Sequence, residues 1–381
     1  MNLHRPRHLE SVPQTDLVVT EDYRTAFRET LFATCFVGWE PSYLEAKAGE
    51  SDVEDHVAAR MIEIQKSVLP WISEAFDLSR KSVLEIGCGT GSATVPFALR
   101  AESVRAYDIS AASLEAAKAR ARLLGVPRID FRLLDTAWAQ TERTSEAFAE
   151  QQEPTDVVLL IALLEHLTIS ERLNALRAAW KILKPNGILV IYDTPNRLAY
   201  YDAHTFLLPF FDCLPDQLAI QYAAKSPRPY FSIDQRGDVV ENLYRLGRGV
   251  SYHEFDLAIG LSNFTVANDG NSEYMRHQQS MRNAAYQWAL REIFRKHLPE
   301  VPLGFATPNL DLVLIKRPPV GRVIAAPMIE EPELNPWSQT DITRQFLRLT
   351  IKNLITGVRE PAEFKKKLRG WWNRRVLGAN K

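Results

Sequence analysis

Glu85-Ile86-Gly87-Cys88-Gly89-Thr90-Gly91 combines a carboxylate with three alternate glycines, and Leu164-Glu165-His166 sets a second carboxylate beside an imidazole. Glycines lack Cβ, so they permit a tight turn and let a ligand lie against the backbone. These directly follow the short apolar run 82–86 and precede a helical pattern, so a ligand would also meet the positive end of that helix. A carboxylate just ahead of the glycines repels a pyrophosphate but suits a cationic group. The third glycine of a G-x-G-x-x-G pattern would fall at Ser92, so a dinucleotide reading fits poorly. An imidazole titrates near neutrality and can take a proton from a nucleophile. The structural alternative is that Glu165 and His166 only cap or orient the helix that follows.

These motifs need a frame, and the hydrophobic pattern supplies one. Apolar runs at 82–86, 104–107, 129–133, 157–161 and 188–192 alternate with helical stretches after Gly91, at 111–124 and up to Leu183. Ser110 is the expected cap of the second helix with Gly125 as its stop; Ser170 is the expected cap of the third, which Pro185-Asn186-Gly187 ends. Strands without polar alternation are buried on both faces, and right-handed crossovers bring their carboxyl ends to one edge. The expected fold is α/β: a Rossmann-like, doubly wound, mostly parallel seven-stranded sheet with helices on both faces. Leu310 to Lys316 is expected to close it.

With this frame, Glu85-x-Gly87-x-Gly89-x-Gly91 resembles the first motif of class I S-adenosylmethionine-dependent methyltransferases, especially the ubiquinone- and menaquinone-pathway group. The resemblance runs from about Lys81 to Arg197 and includes Leu183-Lys184-Pro185-Asn186-Gly187 before the fifth strand. It implies S-adenosyl-L-methionine as cofactor, held by Glu85, Gly87, Cys88, Gly89 and Gly91, by Asp108 on the ribose with Ile109 beside it, by Asp135 and Thr136 at the adenine, and by Ile161. Asp108 stands seventeen residues after Gly91, where a doubly wound fold places a ribose ligand. The implied reaction is in-line methyl transfer, with His166 as general base and Glu165 and His204 beside it. Some relatives have Glu-x-x-Glu-His at this point and bind a divalent metal. Here Ala162 replaces the first Glu, so no metal ligand is assigned, although Asp202 and His204 could substitute.

The acceptor side is less regular. Residues 192–231 hold nine aromatics in forty positions, about twice the chain's 10%. This aromatic-rich insertion, at about 195–260, is expected to cover the active edge. Segments 194–197, 209–211, 226–228 and 249–255 are similar, more weakly, to methyltransferases of bacterial surface-polysaccharide assembly. That implies a sugar hydroxyl of a glycan or glycolipid as acceptor, with Asp202, Arg228, His253 or Glu254 as hydroxyl ligands. A quinone, phenolic or other lipid-like small molecule is the alternative; a dinucleotide oxidoreductase and a non-catalytic binding module are the other classes.

The remaining expectations concern organisation. Residues 1–52 read as a loosely structured lead-in, 53–318 as the main domain, 319–339 as a Pro-rich linker and 340–381 as a basic amphipathic helical tail. A helix over 53–76 should kink at Pro70. Net charge is −1 overall, divided into +8 over residues 341–381 (eleven Lys/Arg, three Asp/Glu) and, by subtraction, −9 over the rest. An acidic body disfavours nucleic acid as substrate. The tail suits an anionic membrane surface, a partner groove or the protein's own body. Three scattered cysteines and no apolar leader point to a cytoplasmic protein, peripheral at the membrane's inner face only under the first of these readings of the tail.

Overall fold

Because the central strands carry apolar side chains on both faces, each face must be covered, and the two alternating sets of residues build two cores. The computed structural model describes residues 16–317 except 127, 229–231 and 279–283; the linker and tail expectations lie outside these residues. Strands β1 (Ser82–Ile86), β2 (Ser103–Asp108), β3 (Ile129–Leu133), β4 (Thr155–Ile161) and β5 (Leu183–Tyr192) run parallel. With β6 (Phe264–Asp269) and β7 (Leu312–Lys316), both paired antiparallel, they form one sheet in the order β3-β2-β1-β4-β5-β7-β6. The expected α/β fold is therefore the observed one, closing strand included. The order reverses between β1 and β4, the crevice where such sheets bind ligands.

The helices before the sheet are α1 (Glu21–Ala33), α2 (Pro41–Leu44), α3 (Lys47–Glu54), α4 (Arg60–Glu63) and α5 (Leu69–Ser73); π-helical turns at Asp55–Ala59 and Ile64–Val68 flank α4. After β1 come α6 (Thr94–Ala98), α7 (Ala111–Leu123), α8 (Glu142–Glu150) and α9 (Ile169–Ile182). The insertion contributes α10 (Asp216–Tyr222), α11 (Val239–Leu246) and α12 (Tyr252–Ile259), and α13 (Ala284–His297) precedes β7. Leu84, Ile86, Val158, Leu160, Leu189 and Ile191 share a core with α8 and α9. Val83, Val157, Leu159, Ile188 and Val190 face the opposite way, toward Trp71, Ile72 and Phe97. A one-residue register slip would exchange these sets, so the two cores fix the sheet.

Four expectations are corrected. The lead-in is not loosely structured: Thr20 caps α1, and Tyr23, Phe27 and Leu31, four residues apart, pack on Val57, Met61 and Ala116 of α7. Pro70 does not break the helix: the backbone stays helical through Val68 and Leu69, and the irregularity ahead of the proline is the π-helical turn Ile64–Val68. The cap of α9 is Thr168 rather than Ser170, since Thr168 and Glu171 complete a reciprocal capping box. Pro185-Asn186-Gly187 does not end that helix but lies within β5, where the pairing slips between Thr155 and Val157. Among the described residues no helix is long and apolar enough to cross a membrane.

Asp156 stitches the sheet at the edge away from the glycines. Its Oδ2 accepts from Ser82 N (3.0 Å), Ser82 Oγ (2.7 Å) and Lys184 Nζ (3.0 Å). Burial pushes this carboxyl up, but the bonds from Ser82 and Lys184 prevail and bring it down to about 2. A folded-state value below the unfolded one stabilises the protein above the ordinary Asp range, and that contribution is lost as pH falls through the range down to about 2. Asp156→Asn should therefore cost on the order of 2 kcal/mol at pH 7 and flatten the acid-side fall in stability, measured by urea unfolding at several pH values.

Candidate active site

The glycine turn has its shape because β2 holds it. Gly87 and Cys88 donate to the Tyr107 carbonyl at 2.8 and 3.0 Å, and Gly89 N donates to Asp108 Oδ2 at 2.7 Å. Asp108 Oδ1 accepts from Ser110 N at 2.8 Å, so this carboxylate joins the turn to the cap of α7. Its remaining lone pairs are what a ribose would use. Burial raises the Asp108 carboxyl, against the pull of these backbone N–H groups. Gly89 has φ +51°, and a Cβ there would meet nothing within 4 Å: this position opens onto space a ligand can fill. Gly91 (φ +77°) is glycine for the opposite reason, since a Cβ would sit 3.1 Å from that of Ala117 on α7.

Glu85 lies beneath the turn, 1% exposed, and accepts from Thr94 Oγ1 at 2.5 Å. It thereby joins β1 to α6. Burial raises its carboxyl to about 7, and Asp108 adds to the effect. Topology brings the other expected cofactor residues to the same edge. Ile109 follows β2 and is half exposed, Asp135 and Thr136 follow β3 on the surface, and Ile161 ends β4, buried. Leu134 N donates to the Asp108 carbonyl at 2.8 Å, drawing the end of β3 toward the ribose position.

Glu165, His166 and His204 come together although His204 stands in the insertion. The turn Leu164–His166 follows β4, and Leu163, just before it, touches the place where a Cβ on Gly87 would be. The turn that bears Glu165 and His166 thus begins one residue after a side chain in contact with the glycine turn. His166 Nε2 is 3.7 Å from Glu165 Oε1, His204 Nε2 is 4.0 Å from the same oxygen, and the two rings lie 5.7 Å apart. His166 Nδ1 faces the Arg245 carbonyl at 3.0 Å. A carbonyl only accepts, so Nδ1 carries the proton and Nε2 is left as the base. Packing against the turn lowers the His166 imidazole, outweighing the bond to that carbonyl. Burial raises Glu165 to about 7, partly offset by His204.

Glu165 Oε1 is buried with no hydrogen-bond partner. One carboxylate and two imidazoles, with ligand atoms all within 4.8 Å of one another, suit a divalent transition ion. Asp202, the other expected substitute, is not part of this group. Its oxygens accept from the backbone N–H groups of His204, Thr205 and Phe206 at 2.6–2.9 Å and so shape the loop that carries His204.

Three arginines escaped sequence reasoning. Arg172, fully buried on α9, donates to the carbonyls of Leu164, Glu165 and Leu167 and, across the insertion, to those of Arg248 and Gly249. Arg120 on α7 joins the Thr90 carbonyl to the Tyr23 hydroxyl and the carbonyls of His56 and Val57. Arg60 pairs with Asp193, the residue after β5. The signal for the first two was an arginine within an apolar stripe, beside Ala175 and Leu176 and beside Ala117 and Ala121.

Comparison with known proteins agrees with this geometry. Residues 83–187 match a family model described as a methyltransferase domain. Ubiquinone biosynthesis O-methyltransferases are 33% identical, over 136 residues in Pseudomonas putida strain F1 (35% of this chain, 53% of the relative) and over 128 in Pseudomonas fluorescens strain Pf0-1 (33% and 50%). The chain spans about half the length of the curated relatives it matches. Among solved structures, magnesium protoporphyrin IX methyltransferase from Synechocystis PCC 6803 aligns over 64% of this chain and 90% of its own, at 15% identity and TM-score 0.39. An amino pentose methyltransferase from Micromonospora echinaspora aligns over 39% and 56%, at 24% identity and TM-score 0.30. The chain carries a class I methyltransferase domain, and S-adenosylmethionine is the cofactor of that family.

Gly89 and Gly125 make a matched pair: both have positive φ, and a Cβ at either meets nothing within 4 Å. Gly89→Arg should abolish binding of S-adenosylhomocysteine in isothermal titration. Gly125→Arg should cost only backbone strain, about 1 kcal/mol in thermal unfolding, and leave binding intact.

Proposed function

We propose that the protein is an S-adenosylmethionine-dependent O-methyltransferase in which His166 is the general base. The observation that carries this reading is the fixed imidazole: Nδ1 is committed to the Arg245 carbonyl, and Nε2 is left as acceptor on the turn that follows β4. A lone pair on the acceptor oxygen attacks the sulfonium methyl in line, the new O–CH3 bond forms, and the S–CH3 electrons return to sulfur. The hydroxyl proton passes to His166 Nε2, and the nearby Glu165 carboxylate stabilises the imidazolium. A divalent ion on Glu165, His166 and His204 would instead acidify the hydroxyl as a Lewis acid.

We favour a phenolic or quinone-type acceptor over a sugar. The groups expected to bind sugar hydroxyls are engaged within the protein. Asp202 caps its own loop, Arg228 donates to the carbonyls of His204 and Thr205, Glu254 bonds Ser251 and Arg172, and Ser251 bonds His253. Tyr200, Phe210 and Tyr286 instead group their rings within 5.6–6.2 Å, and Phe210 is 49% exposed. Such a surface suits a flat apolar ring. The ubiquinone O-methyltransferases similar to the domain point the same way, although the similarity lies in its cofactor half.

His166→Ala should leave S-adenosylhomocysteine affinity unchanged and reduce turnover of a catechol by roughly 10²–10⁴-fold. A lowered imidazole keeps the base unprotonated to more acidic pH, so the acid limb of kcat should lie below the ordinary histidine value, and His166→Ala should abolish that limb. Labelled cofactor offered with catechols, quinols, nucleotide sugars and glycolipids reads the acceptor, and methylation confined to the sugars would reverse the preference stated here. If EDTA abolishes turnover and Mg²⁺ or Mn²⁺ restores it, the proton is released by a metal and His166 is its ligand.

A further inference from the structure

His166 and Arg245 are separated by 79 residues, yet each holds the other. His166 Nδ1 donates to the Arg245 carbonyl at 3.0 Å, and Arg245 Nη1 donates to the His166 carbonyl at 3.0 Å. The guanidinium is itself anchored: Nη1 and Nη2 reach the two oxygens of Glu171 at 2.8 and 2.7 Å, and Nη2 also reaches Glu241 at 2.8 Å. The same Glu171 carboxylate accepts from Thr168 N at 2.8 Å and Thr168 Oγ1 at 3.0 Å as the cap of α9. The cap of a sheet-packed helix, the turn bearing the imidazole and the last turn of α11 therefore meet at one arginine.

We propose that Arg245 is a positioning residue: by docking the end of α11 onto Glu171, it presents the carbonyl that keeps His166 in the Nδ1–H form with Nε2 free. The proposal rests on the reading of His166 as the base. An imidazole without such a partner is free to exchange tautomers and to rotate, and either change removes the acceptor from the reacting hydroxyl. The other polar or charged groups facing the ring are Glu165 on its own turn, His204 on the insertion, Asp193 after β5 and Arg172 on α9. Of these, Glu165 draws a proton toward Nε2 but stands 3.7 Å from it, beyond hydrogen-bond distance, whereas the Arg245 carbonyl bonds Nδ1 at 3.0 Å. Arg245 is also 39% exposed, unlike the wholly buried Arg172, so its loss should not dismantle the core.

The test uses the full chain saturated with S-adenosylhomocysteine and labelled with [15N]histidine, with the His166 signals assigned by their absence in His166→Asn. Wild type should show neutral His166 as the Nδ1–H tautomer. Arg245→Ala and Glu171→Gln should both shift it toward a mixture with Nε2–H, and Arg245→Lys should restore much of the wild-type pattern. S-adenosylhomocysteine affinity should stay within about twofold, because the cofactor turn is untouched. With a catechol as acceptor, kcat should fall roughly 10–100-fold without change in the KM for cofactor, and the Glu171→Gln/Arg245→Ala double variant should be no worse than either single one. An unchanged tautomer in Arg245→Ala, or equal loss of cofactor affinity, would overturn the proposal. Full turnover by His166→Ala would instead sink the base assignment and leave the tautomer result standing.

Discussion

One buried cation holds the proton-accepting turn to the segment that covers it. Arg172 is fully enclosed and donates to five backbone carbonyls from two separate stretches, with Glu254 at 3.3 Å as counter-charge. A charge in such a place is expensive unless every donor is used, and a guanidinium has five in a rigid fork. Of the carbonyls it serves, those of Leu164 and Glu165 also accept from Leu167 N and Arg248 N, whereas those of Leu167, Arg248 and Gly249 lie outside any ladder or helix. The same group thus solves two problems: it satisfies the backbone of a turn that cannot be regular, and it makes the position of the insertion a condition of the position of the turn.

Around this contact the strand ends carry strain and unusual charge. Ala162 and Asp193, directly after β4 and β5, have φ of +48° and +56°, a region that residues with a side chain seldom enter. Both turn the chain sharply at the carboxyl edge of the sheet, next to Glu165 and to the Arg60–Asp193 pair. Backbone strain of this kind survives where the surrounding packing over-determines it, and it gathers at functional sites. Glu85, Glu165 and Asp311 are each raised to about 7, chiefly by burial. A positively charged ligand bound beside these carboxyls would favour their ionised form, whereas a pyrophosphate would oppose it.

The part before the sheet also takes part in shaping the site. Arg120 reaches from α7 to the Thr90 carbonyl in the glycine turn and to Tyr23, His56 and Val57 before the sheet. Phe27 stacks against its guanidinium at 4.0 Å. The glycine turn is therefore braced from one side by β2, through Asp108, and from the other by α1 and the π-helical turn that contains His56 and Val57. The segment before the sheet, which contributes no strand, is mechanically coupled to the cofactor turn.

Much of this could be read from the residue order alone. The five parallel strands, the glycine turn and the cap at Ser110 follow from rules acting over a few residues: short unbroken apolar runs, positive φ at glycine, a hydroxyl accepting from an N–H three residues on. The meeting of Glu165 and His166 with His204 was only half legible, because the sequence brings out the first pair but does not say where a loop 38 residues further on will fold. Which nitrogen of His166 is the base, that Arg172 faces inward, and that Asp202, Arg228 and Glu254 are spent on internal bonds were decided by tertiary contacts. Local conformation depends on neighbours in the chain; the partner of a polar side chain depends on which distant backbone groups packing leaves without one.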